Sequence, residues 1–213
     1  QTDCGIGNPI NPGVGLKLQT EQDTVANDNS LKLVRFYRSS DRWVSPGLSG
    51  AHARWGARWI DIYQQNIEFV NSQDATVPSI AYALRSNASM ILFGLEVGIW
   101  SPLNDTADRL TELKDANNIR TGWRYTVAAD DSVETYTATG RLLSIADRTG
   151  RTQTLAYDVP AASGGDDDPD TLDTVTDAAG RQLVFTYDAL KRIATVADPA
   201  GVVEVLDEAQ AVA

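Results

Sequence analysis

An all-β fold, an antiparallel meander of hairpins, is what the sequence predicts. Three observations carry it: short apolar-alternating runs recur along most of the chain, Gly, Pro, Asn and Asp punctuate them, and the C-terminal part repeats an Asp-x-x-Gly theme. In order, Leu31–Phe36 (LKLVRF), Trp59–Tyr63 (WIDIY), Asn66–Val70, Ile80–Leu84 and Met90–Leu95 are rich in β-branched and aromatic residues, as half-buried strands are. Pro46-Gly47 and Asn104-Asp105 mark loops. Helix is expected at most once or twice, and the one segment that offers it is Asp105–Lys114 (DTADRLTELK). Its acid-rich start and Leu110/Leu113 spacing fit one short helix or turn.

The repeats say where the turns fall. LLSIADRTGRTQTLAYD from Leu142, LDTVTDAAGRQLVFTYD from Leu172 and IATVADPAGVVEVLDE from Ile193 align as an alternating run, Asp-x-x-Gly, and a second alternating run. The turn aspartates are Asp147, Asp177 and Asp198, and the turn glycines Gly150, Gly180 and Gly201. Aspartate accepts a hydrogen bond from the backbone two residues on and glycine tolerates positive φ, so each motif predicts a hairpin turn. The units are offset by 30 and then 21 residues. The surplus is the acidic insertion AASGGDDDPD, residues 161–170, a surface loop by composition.

Composition bounds the function. The chain has 213 residues, 42% hydrophobic and 22% charged, enough for one large domain or two small ones. A net charge of −11 argues against nucleic acid, which is bound by neutralising phosphates. The longest apolar stretch, Met90–Trp100, contains Glu96 and falls short of the roughly 20 residues of a transmembrane helix, so no membrane span is expected. Residues 1–127 hold 13 acidic and 12 basic residues, whereas 128–213 hold 16 and 6. All five tryptophans (Trp43, Trp55, Trp59, Trp100, Trp123) lie in the first part. This break predicts a β-rich N-terminal domain over 1–127 and repeat hairpins over 128–213.

Residue types that carry chemistry are sparse. His52 is the only histidine, and no nucleophile elbow or H-E-x-x-H accompanies it, so it reads as a loop histidine. Most carboxylates fall at repeat turns, and no pair is singled out for glycosidic chemistry. GIGNPINPGVG contains prolines and no following helix, unlike a phosphate loop. No catalytic residue and no resident cofactor are expected. Asp166, Asp168 and Asp170 alternate as in the first half of a Ca²⁺ loop, but Thr171 replaces the glycine and Asp177 the glutamate such a loop needs. The readings are a solvated acidic insertion or weak Ca²⁺ binding. The single cysteine, Cys4, excludes an internal disulfide and is either an inert thiol or a bridge to another subunit. The chain begins at Gln1, as it would after truncation or removal of a secretory signal.

Tyr157-Asp158 and Tyr187-Asp188 end two of the repeats, and Gly140-Arg141-Leu142 starts a strand, with Lys191-Arg192-Ile193 a drifted copy. On these residues the chain resembles the YD-repeat proteins of the rearrangement-hotspot (Rhs) family, which include insecticidal toxin-complex subunits and teneurins. CGIGNPINPGVGLKLQTEQD, LVRFYRS, WGARWIDIY and LTELKDANNIRTGWRYT resemble the N-terminal domain of bacterial Rhs proteins. In the third unit Leu206-Asp207-Glu208 stands where Tyr-Asp would fall. The resemblance implies export and coiled β-sheets, which in the family close into hollow shells that often hold a toxin. About three units are too few to close such a shell.

The expectation is therefore a secreted, non-enzymatic structural protein, extracellular or on the cell surface, that self-associates into a filament, ring or surface layer. The strand around Val203 and Val205 is the segment expected to pair between subunits, alongside a bridge at Cys4. Alternatives are a fragment or short relative of a toxin shell that packages or presents a toxin, and a cell-surface recognition module.

Overall fold

The computed structural model describes residues 10–11, 16–25, 31–39, 54–55, 58–71, 78–87, 89–157, 171–190, 192–201 and 203–205. Among them the regular structure is strand throughout: β1 (Ile10–Asn11), β2 (Leu16–Val25), β3 (Lys32–Arg38), β4 (Trp59–Asp61), β5 (Asn66–Asn71), β6 (Pro78–Leu84), β7 (Met90–Glu96), β8 (Ile99–Pro102), β9 (Arg109–Lys114), β10 (Arg120–Thr126), β11 (Val133–Thr137), β12 (Leu142–Ala146), β13 (Thr152–Tyr157), β14 (Leu172–Thr176), β15 (Gln182–Tyr187), β16 (Ile193–Ala197) and β17 (Val203–Val205). They sort into a first sheet of β1–β4, a middle sheet of β5–β8, and a long nine-stranded sheet from β9 to β17, each strand beside its sequence neighbour. Every pairing is antiparallel. The fold is an all-β hairpin meander.

Period-two alternation decides which side of each strand is inside. In β15, Leu183 and Phe185 are buried while Gln182 and Thr186 face solvent. In β6, Ala81 and Ala83 are buried. Their small side chains let the middle sheet lie close over the start of the long one. There Phe69 stacks on Trp123 at 4.6 Å, Trp100 meets Trp123 edge-on at 5.4 Å, and Phe93 meets Tyr125 at 5.8 Å. Burying an aromatic of this size stabilises by about 1.5–3 kcal/mol, so this cluster anchors the fold.

The segment around Asp105–Lys114 is not helical: its second half is strand β9, paired with β10 from Arg109↔Thr126 to Lys114↔Arg120. Pairing with the next strand, across the Asp115–Ile119 turn, overrides local helix propensity here. Asp108 caps no helix: its carboxylate accepts from the Ala128 amide at 2.8 Å and from the Tyr125 hydroxyl. The charge break near residue 127 falls inside the long sheet, between β10 and β11.

A recurring irregularity shapes the long sheet. Register shifts fall at Thr135/Tyr136, Ala156/Tyr157 and Thr186/Tyr187, each just before a tyrosine that is the last or next-to-last residue of its strand. A bulge adds local right-handed twist, and the same bulge in successive hairpins coils the sheet.

Candidate functional site

The residues singled out in the sequence gather at the two ends of the long sheet. At one end Asp147, Asp177 and Asp198 open tight turns: the amides of Gly150, Gly180 and Gly201 donate to the aspartate carbonyls at 2.9, 3.0 and 2.9 Å. The three glycines have φ of 85°, 80° and 78°, the left-handed region a side chain would strain. Each carboxylate accepts the amide two residues on, from Thr149, Ala179 and Ala200, at 2.8, 2.8 and 2.9 Å.

At the other end, the aspartate of the second Tyr-Asp pair builds the same device. Asp188 accepts the amides of Leu190 and Arg192 at 2.8 and 2.9 Å, and its own amide donates to the Arg192 carbonyl at 2.8 Å. The tyrosines act across the hairpin. The Tyr157 hydroxyl donates to the Leu142 carbonyl at 2.8 Å and Tyr187 to the Leu172 carbonyl at 2.9 Å, each spanning 15 residues. A phenylalanine would fill the same space without that bond. Asp158, Cys4, His52 and the Asp166/Asp168/Asp170 insertion lie outside the described residues. Val203 and Val205 are placed in β17, paired with Ala197 and Thr195.

Several partners escaped the sequence reading. An arginine follows three of the turn aspartates by four residues: Arg151, Arg181 and Arg192 donate through Nε to Asp147, Asp177 and Asp188 at 2.8, 2.9 and 2.9 Å. A further turn, Thr137–Arg141, uses the Thr137 hydroxyl in place of a carboxylate and accepts the Arg141 amide at 3.0 Å. Its signal was present, since Tyr136 precedes Tyr157 by 21 residues, the interval separating the last two units. The Gly140 carbonyl in this turn accepts the Ile67 amide at 2.9 Å, and a Cβ on Gly140 would stand 1.8 Å from the Ile67 oxygen.

Two buried ion pairs join the other sheets to this framework. Arg54 contacts Asp61 at 2.6 Å, and both are buried. Asp61 also accepts the Trp55 indole N–H and the Tyr63 amide. Burial works against the Arg54 charge, but the Asp61 carboxylate beside it more than offsets this and keeps the guanidinium protonated. The Arg54 carbonyl accepts the Ile193 amide at 2.7 Å, at the base of the Tyr187 turn. Burial pushes the Tyr187 hydroxyl up to about 12. Arg85 grips Glu134 at 2.6 Å, lies 4.0 Å over the Tyr125 ring, and shares Glu134 with the Tyr136 hydroxyl at 2.6 Å.

The chemistry of this arrangement is structural. The turn carboxylates are occupied by amides and guanidinium groups, and the buried ones by arginines, indole and phenol. Among the described residues no group of three or more His, Cys, Asp or Glu is placed to hold a metal ion. No helix among them is long and apolar enough to cross a membrane.

The fold is thus that of a repeat-built β protein. Residues 174–203, from β14 to the first residue of β17, match the family described as RHS Repeat. Comparison with curated proteins gives no match.

Proposed function

We propose that this chain is a non-enzymatic structural protein of the Rhs-repeat type, exported to the extracellular space or cell surface, which assembles with further copies through the edges of its long sheet. The observation behind it is β17, the last strand of the long sheet, which has β16 as its one partner among the described residues. Such an edge offers a row of backbone donors and acceptors to another strand. Electron microscopy of the native chain tests this, beside Glu204→Pro and Val205→Pro variants. Successive residues of a strand point their N–H groups to opposite sides, so one of the two variants removes an outward donor. Filaments or rings lost in that variant support the reading; monomers of 23.0 kDa at every concentration end it.

The RHS Repeat match favours a second reading, in which the same edge continues into further repeats of a β-shell that packages or presents a toxin. A recognition role at the cell surface is a third. Stoichiometric capture of one toxin domain by the monomer would favour the second, and saturable binding on a glycan array the third.

A further inference from the structure

We propose that the Arg85–Glu134 pair is a latch: it holds the middle sheet down beside β9 and so keeps that edge of the long sheet from pairing with a second copy of this chain. A meander of nine strands ends in two edges, here β9 and β17. An edge strand presents a row of backbone N–H and C=O groups, and covering it with another part of the chain keeps it from pairing. β17 is the edge assigned to assembly; β9 is the covered one.

The cover is the end of the middle sheet. β8 lies alongside β9 without pairing to it. The link between them, residues 103–108, is tied at both ends. The Leu103 amide donates to the Leu92 carbonyl at 2.7 Å, and the Asn104 Oδ1 accepts the Leu92 amide at 2.6 Å. At the far end the Asp108 carboxylate accepts from the Ala128 amide and the Tyr125 hydroxyl. The charges on β9 guard it poorly by themselves, because Glu112 is paired with both Lys114 and Arg120.

A cover of this kind needs an anchor with a direction. The aromatic contacts of the middle sheet, Phe69 and Trp100 on Trp123 and Phe93 on Tyr125, fall on β10, and apolar burial is non-directional. Arg85, just past β6, reaches one strand further, to Glu134 of β11, and grips it at two points, 2.7 and 2.6 Å. A two-point arginine–carboxylate contact fixes orientation as well as position. The repeat pattern breaks at this spot. Two residues before Tyr136, Tyr157 and Tyr187 stand Glu134, Leu155 and Phe185. Leu155 and Phe185 are buried, and a buried ion pair stabilises no better than apolar residues of that size. The first hairpin therefore departs from the others where the middle sheet is gripped, and net stability does not account for the departure.

Backbone hydrogen exchange and sedimentation velocity of the whole chain test it. Glu134→Gln should speed exchange in β5–β9 by about 10-fold or more, while β14–β16 stay within about 2-fold of the parent. The same variant should gain association that persists when Glu204→Pro or Val205→Pro is added, because the newly opened edge is β9. Arg85→Lys keeps the charge without the two-point grip; it should show the same pattern, and it is read in place of Glu134→Gln should that variant not fold. Exchange that is unchanged, or that rises in every strand alike, overturns the proposal. So does faster exchange in β9 without added association, or added association that the β17 prolines remove. A parent chain that is monomeric ends the β17 reading and not this one.

Discussion

Gly140 and Gly150 both have positive φ, 96° and 85°, but they differ in what surrounds them. A Cβ on Gly150 meets nothing within 4 Å, whereas on Gly140 it would collide with the Ile67 carbonyl. Gly150→Ala should cost about 1 kcal/mol, the backbone term alone. Gly140→Ala should cost more than about 3 kcal/mol by urea unfolding, because two sheets must separate to admit it. The turn aspartates give a pH signature. The Thr149 hydroxyl and Arg151 hold the Asp147 carboxyl well below its ordinary range, and the Arg192 amide and guanidinium do the same for Asp188. A carboxyl lowered in the folded state adds stability in full above its unfolded pKa, near 3.9, and loses it as pH falls through the folded value. Asp147→Asn and Asp188→Asn should therefore lower the urea midpoint at about pH 6, with the gap to the parent closing below about pH 3. The Asp-x-x-Gly turns were legible in the sequence because aspartate and glycine act within the turn itself. The collision at Gly140 was not, because Ile67 is a neighbour only in space.

Among the elements, β9 shows where local reading stops. Its acid-rich approach looked like a helix start, but its partner β10 lies beyond the segment that carries that signal. The hairpins around Asp147 and Asp177 were readable, since period-two alternation and a turn motif agree within one segment. The ion pair of Arg85, just past β6, with Glu134 of β11 was invisible for the same reason β9 was. Glu134→Ala leaves a guanidinium, 12% exposed, without its carboxylate and should cost about 3–5 kcal/mol. Arg85→Met with Glu134→Leu should recover most of that loss, because the charge to be buried is gone. A double-mutant cycle by chemical denaturation reads both. Tyr157→Phe removes one bond to the Leu142 carbonyl and should cost about 1 kcal/mol.

Across the whole molecule, the long sheet repeats one register shift in successive hairpins and carries an edge strand at β17. Three of the turn carboxylates, Asp147, Asp177 and Asp188, are each matched by the arginine four residues on. Neither the bulges nor the cover beside β9 could be read in advance, because both depend on which strands face each other. The repeat itself could, and it led to the sheet that matters most. The most direct measurement of the central claim is the molar mass of the intact chain by light scattering across a dilution series. Self-association predicts a mass that climbs with concentration well above 23.0 kDa and falls back on dilution. A constant monomer mass throughout would contradict it.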